Sequence, residues 1–282
     1  MDRITGAHYS ELFIEHCINE KHATYHTTRS YKSDLRQFFE FWEQQDHRHS
    51  KTLSVTELVP LFLQNIQQQE KSATKARKIS CLNSFFLFLF RNNILQKPYT
   101  LKRPSVQLPT ATTIPHEVIA SLFAEIPITA IQSVKPYRDR SILGILYATG
   151  IKSVEVSSIR IQDLNLAEQS LTIRPPRKKQ RMVFFGVQTK HDLSMYLAHE
   201  RPEATTTSEY LFLSIHKTPL TTRSIQRICI HFGELLNPKR IITPKILRHS
   251  FALHLLDQGT SLERVQELLG HATSASTERY VQ

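Results

Sequence analysis

Cysteine is scarce in this chain of 282 residues: Cys17, Cys81 and Cys229 are odd in number, far apart and in no CxxC arrangement. That excludes a disulfide framework and a cysteine zinc site, and it reads as buried thiols in a reducing, cytoplasmic compartment. No uninterrupted apolar run approaches the ~18 residues that cross a bilayer, so no membrane partner is expected. The opening stretch MDRITGAHYSELF has no basic segment followed by an apolar one, so no secretory signal is expected either. Missing too are GxxxxGK[ST], GxSxG and HExxH; HEVIA, from His116, lacks the second histidine. The 14 histidines include His47 and His49 but form no dense cluster with carboxylates, so no metal and no cofactor are predicted.

What is abundant is positive charge. Lysine and arginine outnumber the acids 36 to 25, a formal net charge of +11. A surplus of this size suits a polyanion, because lysines and arginines release counterions from nucleic acid on binding. A hydrophobic content of 40% supports real cores, and the length suits two domains.

The stretch KPYTLKRPSVQLPTATTIP, Lys97–Pro115, carries four prolines and no helical period. Proline fixes φ and cannot continue a helix, so this is an extended connection. The expected division is a helical domain over 1–100, a linker over 101–115 and a second domain over 116–282.

The first part reads as helical throughout. Tyr31, Leu35, Phe38, Phe39 and Trp42 fall on one helical face, with Arg29, Lys32 and Arg36 on others. Ser54 and Glu57 have capping-box spacing, and Pro60 should kink or shorten the helix that follows. In KSATKARKISCLNSFFLFLF, Lys71, Lys75, Arg77 and Lys78 precede a buried stripe of Ile79, Leu82, Phe86 and Leu89. Cations in the first turns oppose the helix dipole, and an anionic partner removes that conflict, so this end is a candidate DNA contact; the alternative is an ordinary solvated face.

The second part is mixed. RDRSILGILYATG is an apolar helix closed by Gly150. SLTIR and RMVFFG are short β-rich runs around the basic turn PPRKKQ, which predicts a hairpin, and helices resume after Lys190. The fold class is therefore mainly α with a small antiparallel β-sheet in the C-terminal domain.

Near the end, Thr243 can cap a helix with Pro244 at its first position, and Lys245 and Arg248 share a face of it. Leu247, Phe251, Leu255 and Leu256 form the buried stripe, and Gly259 stops the helix. Thr260 and Glu263 then suggest a capping box for SLERVQELLG, with Leu262, Val265, Leu268 and Leu269 inside and Gly270 at its end. A lysine and an arginine at the start of one helix suit a docked phosphate. His249 and His254, on the same helix, read as packing or surface residues.

LYATGIKSVEVSSIRIQDL, PKILRHSFALHLL and LLGHATSASTERY resemble, in order, the three boxes of the tyrosine recombinases of the simple Xer and transposon-resolvase kind. The resemblance covers nearly the whole chain, and the N-terminal part resembles the family's helical core-binding domain. It implies a two-domain, C-shaped clamp around double-stranded DNA. It implies that Tyr280 attacks a phosphodiester in line, forming a 3′-phosphotyrosine and freeing a 5′-hydroxyl, without metal or ATP. By the same resemblance Arg248 clamps the phosphate, His271 supports the site, and Lys245 assists proton transfer. The lysine that protonates the leaving oxygen lies in the hairpin turn, where Lys178 and Lys179 both qualify, with a slight preference for Lys178. Arg177 is then a DNA contact.

Three departures from the family pattern stand out. Lys152 occupies the first-box position usually held by arginine, keeping the charge but losing the bidentate fork. The hairpin turn has no glycines. The chain stops at Gln282, so it is expected either to be trimmed or to link protomers without the usual tail helix. The resemblance further implies a homotetramer on two inverted-repeat core sites, resolving transposon cointegrates or chromosome dimers. The rivals are type IB topoisomerase-like strand passage and a catalytically impaired DNA-binding protein.

Overall fold

The computed structural model describes residues 2–49, 51–104, 112–124, 126–176, 179–201 and 208–270. The chain divides into two compact units, Met1–Pro109 and Thr110–Gln282.

The first unit packs four helices: α1 (Arg3–Asn19), α2 (Tyr25–His49), α3 (Val55–Gln69) and α4 (Ser72–Arg91). Leu35, Phe38 and Trp42 of α2 and Ile79, Leu82, Phe86 and Leu89 of α4 are all buried in one core. The rings of Phe38 and Phe62 meet edge to face with centroids 5.1 Å apart, a favourable arrangement of ring quadrupoles. Trp42 Nε1 donates to the Leu53 carbonyl at 3.1 Å, so the one polar atom of this buried side chain is satisfied. Ser54 and Glu57 form the expected capping box. Pro60, however, sits inside α3 without ending it. Its missing N–H would have bonded the carbonyl of Thr56, and both residues are exposed, so water can serve that carbonyl instead.

The second unit is built on α6 (Pro136–Thr149), with α5 (His116–Ala124), α7 (Ser153–Ser158), α8 (Val187–Met195), α9 (Thr222–Leu235), α10 (Pro244–Asp257) and α11 (Leu262–Leu269). Ile142, Leu143, Ile145 and Leu146 of α6 are almost fully buried. Gly144 lets α8 approach closely: a Cβ there would meet Thr189 Oγ1 at 2.4 Å. Arg140 of α6 grips Asp192 of α8 through a buried two-bond fork of 2.8 and 2.6 Å. Helix α8 begins at Val187, ahead of the expected Lys190.

The sheet has three antiparallel strands in the order β1-β2-β3: Leu164–Asn165, Ser170–Ile173 and Arg181–Phe184. The two expected strands pair Leu171 with Val183. The two-residue β1, opposite Leu171 and Ser170, is too short to show any alternation in sequence. Leu171, Ile173 and Val183 face the core, while Met182 and Phe184 face outward.

The margins of the proline-rich stretch are each pinned to their own unit. Asn83 holds Leu101 with two hydrogen bonds, 2.7 Å from the Leu101 N–H and 2.9 Å to its carbonyl. The Ile114 N–H donates to Ser250 Oγ at 2.8 Å. The three cysteines are buried and free. Among the described residues, no helix is long and apolar enough to cross a membrane, and no three His, Cys, Asp or Glu side chains group as metal ligands.

Candidate active site

Gly150 ends α6 in left-handed backbone, φ 61°. A side chain there would be strained by the backbone, and its Cβ would stand 2.4 Å from Phe251 Cδ1 and 2.8 Å from Leu269 Cδ2. Glycine thus lets α10 and α11 close onto the turn. The Gly150 carbonyl accepts a hydrogen bond from Arg248 Nη1 at 2.6 Å, and Arg248 Nη2 donates to the Leu269 carbonyl at 2.9 Å. One buried guanidinium therefore joins the end of α6, the first half of α10 and the end of α11.

Two residues after Gly150, Lys152 is the N-cap of α7, with an exposed side chain. Its backbone N–H donates to Glu155 Oε2 at 2.8 Å. That is half a capping box, since a lysine offers no side-chain acceptor for the other half. The Glu155 carboxylate is clasped by Arg181 of β3, Nη1 to Oε1 at 2.8 Å and Nη2 to Oε2 at 3.1 Å. Burial alone would raise this carboxyl. The Arg181 fork, the Lys152 N–H and the charges of Arg181 and Arg248 outweigh burial and hold it below the usual carboxylate range.

Arg181 Nε also donates to the Leu268 carbonyl at 3.0 Å. The last turn of α11 thus receives two arginines, at Leu268 and Leu269, where carbonyls lack helical partners and the dipole is negative. Gly270 follows in left-handed backbone, φ 64°. Val265 and Leu269 hold α11 against Ala252 in a small separate cluster. Its N-cap is Ser261, accepting from the Arg264 N–H at 3.3 Å, and not Thr260 as the spacing to Glu263 suggested. The α10 cap is as expected: Thr243 accepts from the Ile246 N–H at 3.2 Å, with Pro244 at N1.

Lys245 is exposed in the first turn of α10 and lines a surface cleft of about 590 Å³ with Ser153, Thr222, Arg223 and Gln226. Lys179 is exposed ahead of β3 and lines a second cleft, about 460 Å³, with Arg181, Leu268 and Gly270. Of the sequence-derived site residues, Arg248 and Lys152 thus stand at and just beyond the end of α6, Lys179 beside the end of α11, and Lys245 in the cleft beside Ser153. His271 and Tyr280, like Arg177 and Lys178, lie outside the described residues.

In the first unit, Arg29, Lys32 and Lys71 are exposed. The three cations in the first turns of α4 find partners within the first unit. Lys75 Nζ donates to the Gln67 carbonyl at 2.8 Å, and Arg77 pairs with the buried Asp34. Lys78, expected to face DNA, is 4% exposed and bonds Glu70 at 2.5 Å. That expectation is corrected for Lys78, whose charge is met by Glu70 beneath the surface and does not face a partner. Burial raises the Asp34 carboxyl above its ordinary range, against the pull of Arg77.

Sequence reasoning missed Glu155, Arg181, Arg223 and Gln226. Glu155 had a readable signal, an acid at the third helical position after a strand-like turn. Arg181 had a weaker one, sharing the inward face of β3 with Val183. His254 is a packing residue as expected: Nδ1 lies 3.0 Å from the Tyr147 hydroxyl. Burial, with the neighbouring His116, lowers its pKa below the ordinary 6.5.

Residues 113–282 match the phage integrase family, and residues 11–93 match the N-terminal SAM-like domain of phage integrases. The chain is 34% identical over 280 residues to the tyrosine recombinase XerC of Anoxybacillus flavithermus, covering 95% of this chain and 91% of the relative. It is 32% identical over 279 residues to XerC of Oceanobacillus iheyensis, covering 96% and 90%. The solved structure of XerH site-specific recombinase bound to difH substrate, a pre-cleavage complex, aligns with a TM-score of 0.75 at 22% identity, covering 97% of this chain and 82% of that one. A lambda integrase dimer bound to a COC′ core site aligns at 0.72 and 14% identity, covering 100% and 96%. The fold is shared with both structures, and the matches to family and relatives span both units. This chain belongs to the phage integrase family, the tyrosine recombinases.

Proposed function

We propose that this tyrosine recombinase cuts and rejoins DNA at specific sites through a 3′-phosphotyrosine, with Tyr280 as nucleophile. The phenolic oxygen attacks the phosphorus, the bond to the 5′-oxygen breaks, and the phosphotyrosine keeps the energy of that bond for religation. A tyrosine with an ordinary pKa near 10 must lose its proton as it attacks, and Lys245 or a partner it serves takes that role. Arg248 and Lys152 carry the negative charge of the non-bridging oxygens, and His271 supports the same phosphate. The observation that carries this reading is the junction at Arg248: its guanidinium is buried and anchored on the Gly150 and Leu269 carbonyls, so it is held in place before any phosphate arrives.

The leaving 5′-oxygen needs a proton, and the hairpin supplies the donor. Lys178 and Lys179 both remain candidates, and Lys179 is the one among the described residues. Lys179 stands two residues ahead of Arg181, whose guanidinium reaches Glu155 and α11. Lys179 also lines the cleft that ends at Gly270, next to His271 in sequence.

The partner is double-stranded DNA with an inverted-repeat core site, bound by a clamp whose N-terminal contacts include Arg29, Lys32 and Lys71. Four protomers on two such sites, resolving dimers or cointegrates in the cytoplasm, complete the reading. Its relatives are recombinases, which favours strand exchange over single-site relaxation. The test is a supercoiled plasmid carrying two copies of a core site selected by this chain from randomised inverted repeats, incubated in EDTA without nucleotide. Recombinant circles are expected. Relaxed plasmid without recombinants, or a requirement for metal, would contradict it.

A further inference from the structure

Arg181 makes an unusual set of bonds for a residue at the start of a strand. Its three nitrogens reach both oxygens of Glu155 and the Leu268 carbonyl, at 2.8, 3.1 and 3.0 Å. The side chain is 13% exposed and that of Glu155 8%, so the fork is largely shielded from water. Glu155 in turn holds the Lys152 backbone N–H, and Leu268 lies in the turn that Arg248 also caps. Two residues before Arg181 lies the exposed Lys179, outside the described strand ladder, whose last pair is Ile173 with Arg181. The ladder stops at Arg181; just beyond it Arg174 Nη1 donates to Gln180 Oε1 at 2.9 Å while its Nε holds the buried Asp163 at 2.7 Å, so Arg181 and Arg174 together fix the hairpin base. Gly270 completes the enclosure: a Cβ there would sit 3.1 Å from Arg181 Nη1.

We infer that Arg181 is a positioning residue for the leaving-group proton: by anchoring the hairpin base to Glu155 and α11, it sets the reach of Lys179 to the 5′-oxygen. The inference rests on the reading of Lys179 as the proton donor. The chemistry is a simple transfer. As the phosphorus–oxygen bond breaks, the Lys179 ammonium gives its proton to the departing 5′-oxygen, leaving a neutral amine and a 5′-hydroxyl. Arginine suits the anchoring task where lysine does not, because its planar fork fixes two directions at once while Nε serves a third acceptor.

A purely structural ion pair would make the same bonds, so the test must separate the two. Substituting sulfur for the bridging 5′-oxygen does this: a leaving thiolate, whose conjugate acid has a pKa of about 8.5, departs without a proton donor. Single-turnover cleavage of a nicked suicide duplex carrying the selected core site is measured with oxygen or sulfur at the bridge. Lys179→Ala should lose about 10²–10⁴-fold on oxygen, the usual contribution of a general acid, and recover on sulfur. Arg181→Gln should lose about 10²-fold on oxygen, as expected for a donor displaced by ~1 Å, recover on sulfur and keep native affinity for the duplex. Arg181→Lys, which retains a charge for Glu155 and guards against a folding failure, should fall between native and Arg181→Gln on oxygen and match native on sulfur.

If Lys179→Ala is rescued by sulfur and the Arg181 variants are not, Arg181 acts elsewhere and the inference fails alone. If Lys179→Ala itself is not rescued, the assignment of the proton donor fails first. Equal loss on both substrates together with lost affinity would make Arg181 a structural residue only.

Discussion

Replacing Gly150 with alanine perturbs the site at its pivot without touching any charged group. Two penalties can be read from the structure. The backbone sits at φ 61°, where a Cβ is strained by roughly 1–2 kcal/mol. The new methyl would also stand 2.4 Å from Phe251 and 2.8 Å from Leu269, and relieving such overpacking costs about 1–3 kcal/mol. Together these give roughly 2–5 kcal/mol, or a fall of about 4–20 °C in the melting of a unit of this size. The relief must come from the turn or from α10 and α11, and either movement shifts the carbonyl that holds Arg248 at 2.6 Å. A displacement of ~1 Å should slow cleavage about 10²-fold. Calorimetry and single-turnover cleavage measure the two effects, with Gly186→Ala as control, since φ is −82° there and a Cβ meets nothing within 4 Å. If Gly150→Ala melted and cleaved like the native chain, within the ~0.5 kcal/mol of an ordinary surface change, the account of this junction would be wrong.

Lys152→Arg should speed cleavage by about 10- to 10³-fold with little change in affinity, because a fork at this exposed N-cap adds a donor in the transition state; an equal or slower rate would mean the pocket is built around lysine. Arg77→Ala should destabilise the first unit by about 1–3 kcal/mol, since it leaves the buried Asp34 without its partner, whose own side chain is 41% exposed, as thermal unfolding would show. Arg29→Ala and Lys32→Ala should leave melting unchanged and each lower the salt slope of DNA binding by about 1; unchanged slopes would turn that face away from DNA. Because the folded state depresses the pKa of His254, it resists protonating this side chain. The contribution of this group is fully present above the ordinary value near 6.5 and is lost as pH falls below it towards the lowered folded value, because the unfolded chain takes the proton first. His254→Phe should flatten that slope in pH-dependent melting; an unaltered slope would assign it to other groups.

The parts of the fold that repeat along the chain were legible in its sequence. The stripes Leu35–Trp42 and Ile79–Leu89 predicted buried helix faces, and Gly150, Gly259 and Gly270 marked where helices stop, because three- and four-residue periods and left-handed glycines are local properties. What stayed hidden was non-local. No period links Lys78 to the half-buried Glu70, eight positions earlier and across a turn, which pairs with it and turns its charge away from any partner. Strand β1 has two residues and exists only because Leu171 and Ser170 are opposite. At the site, the charged residues were recognised from their order, but the arginine–carboxylate joint between Arg181 and Glu155 spans 26 positions and has no period to betray it. Pro60 shows the converse, a strong local signal overridden because its orphaned carbonyl belongs to the exposed Thr56.

The central claim is a covalent bond between DNA and Tyr280. Incubating the chain with a nicked suicide duplex of the selected core site, digesting the trapped adduct and sequencing the nucleotide-bearing peptide by mass spectrometry tests it directly. The account predicts a 3′-phosphate linked to the Tyr280 phenol, and no adduct from Tyr280→Phe although that variant still binds the duplex. An adduct that persists in Tyr280→Phe, or maps to another residue, would contradict it.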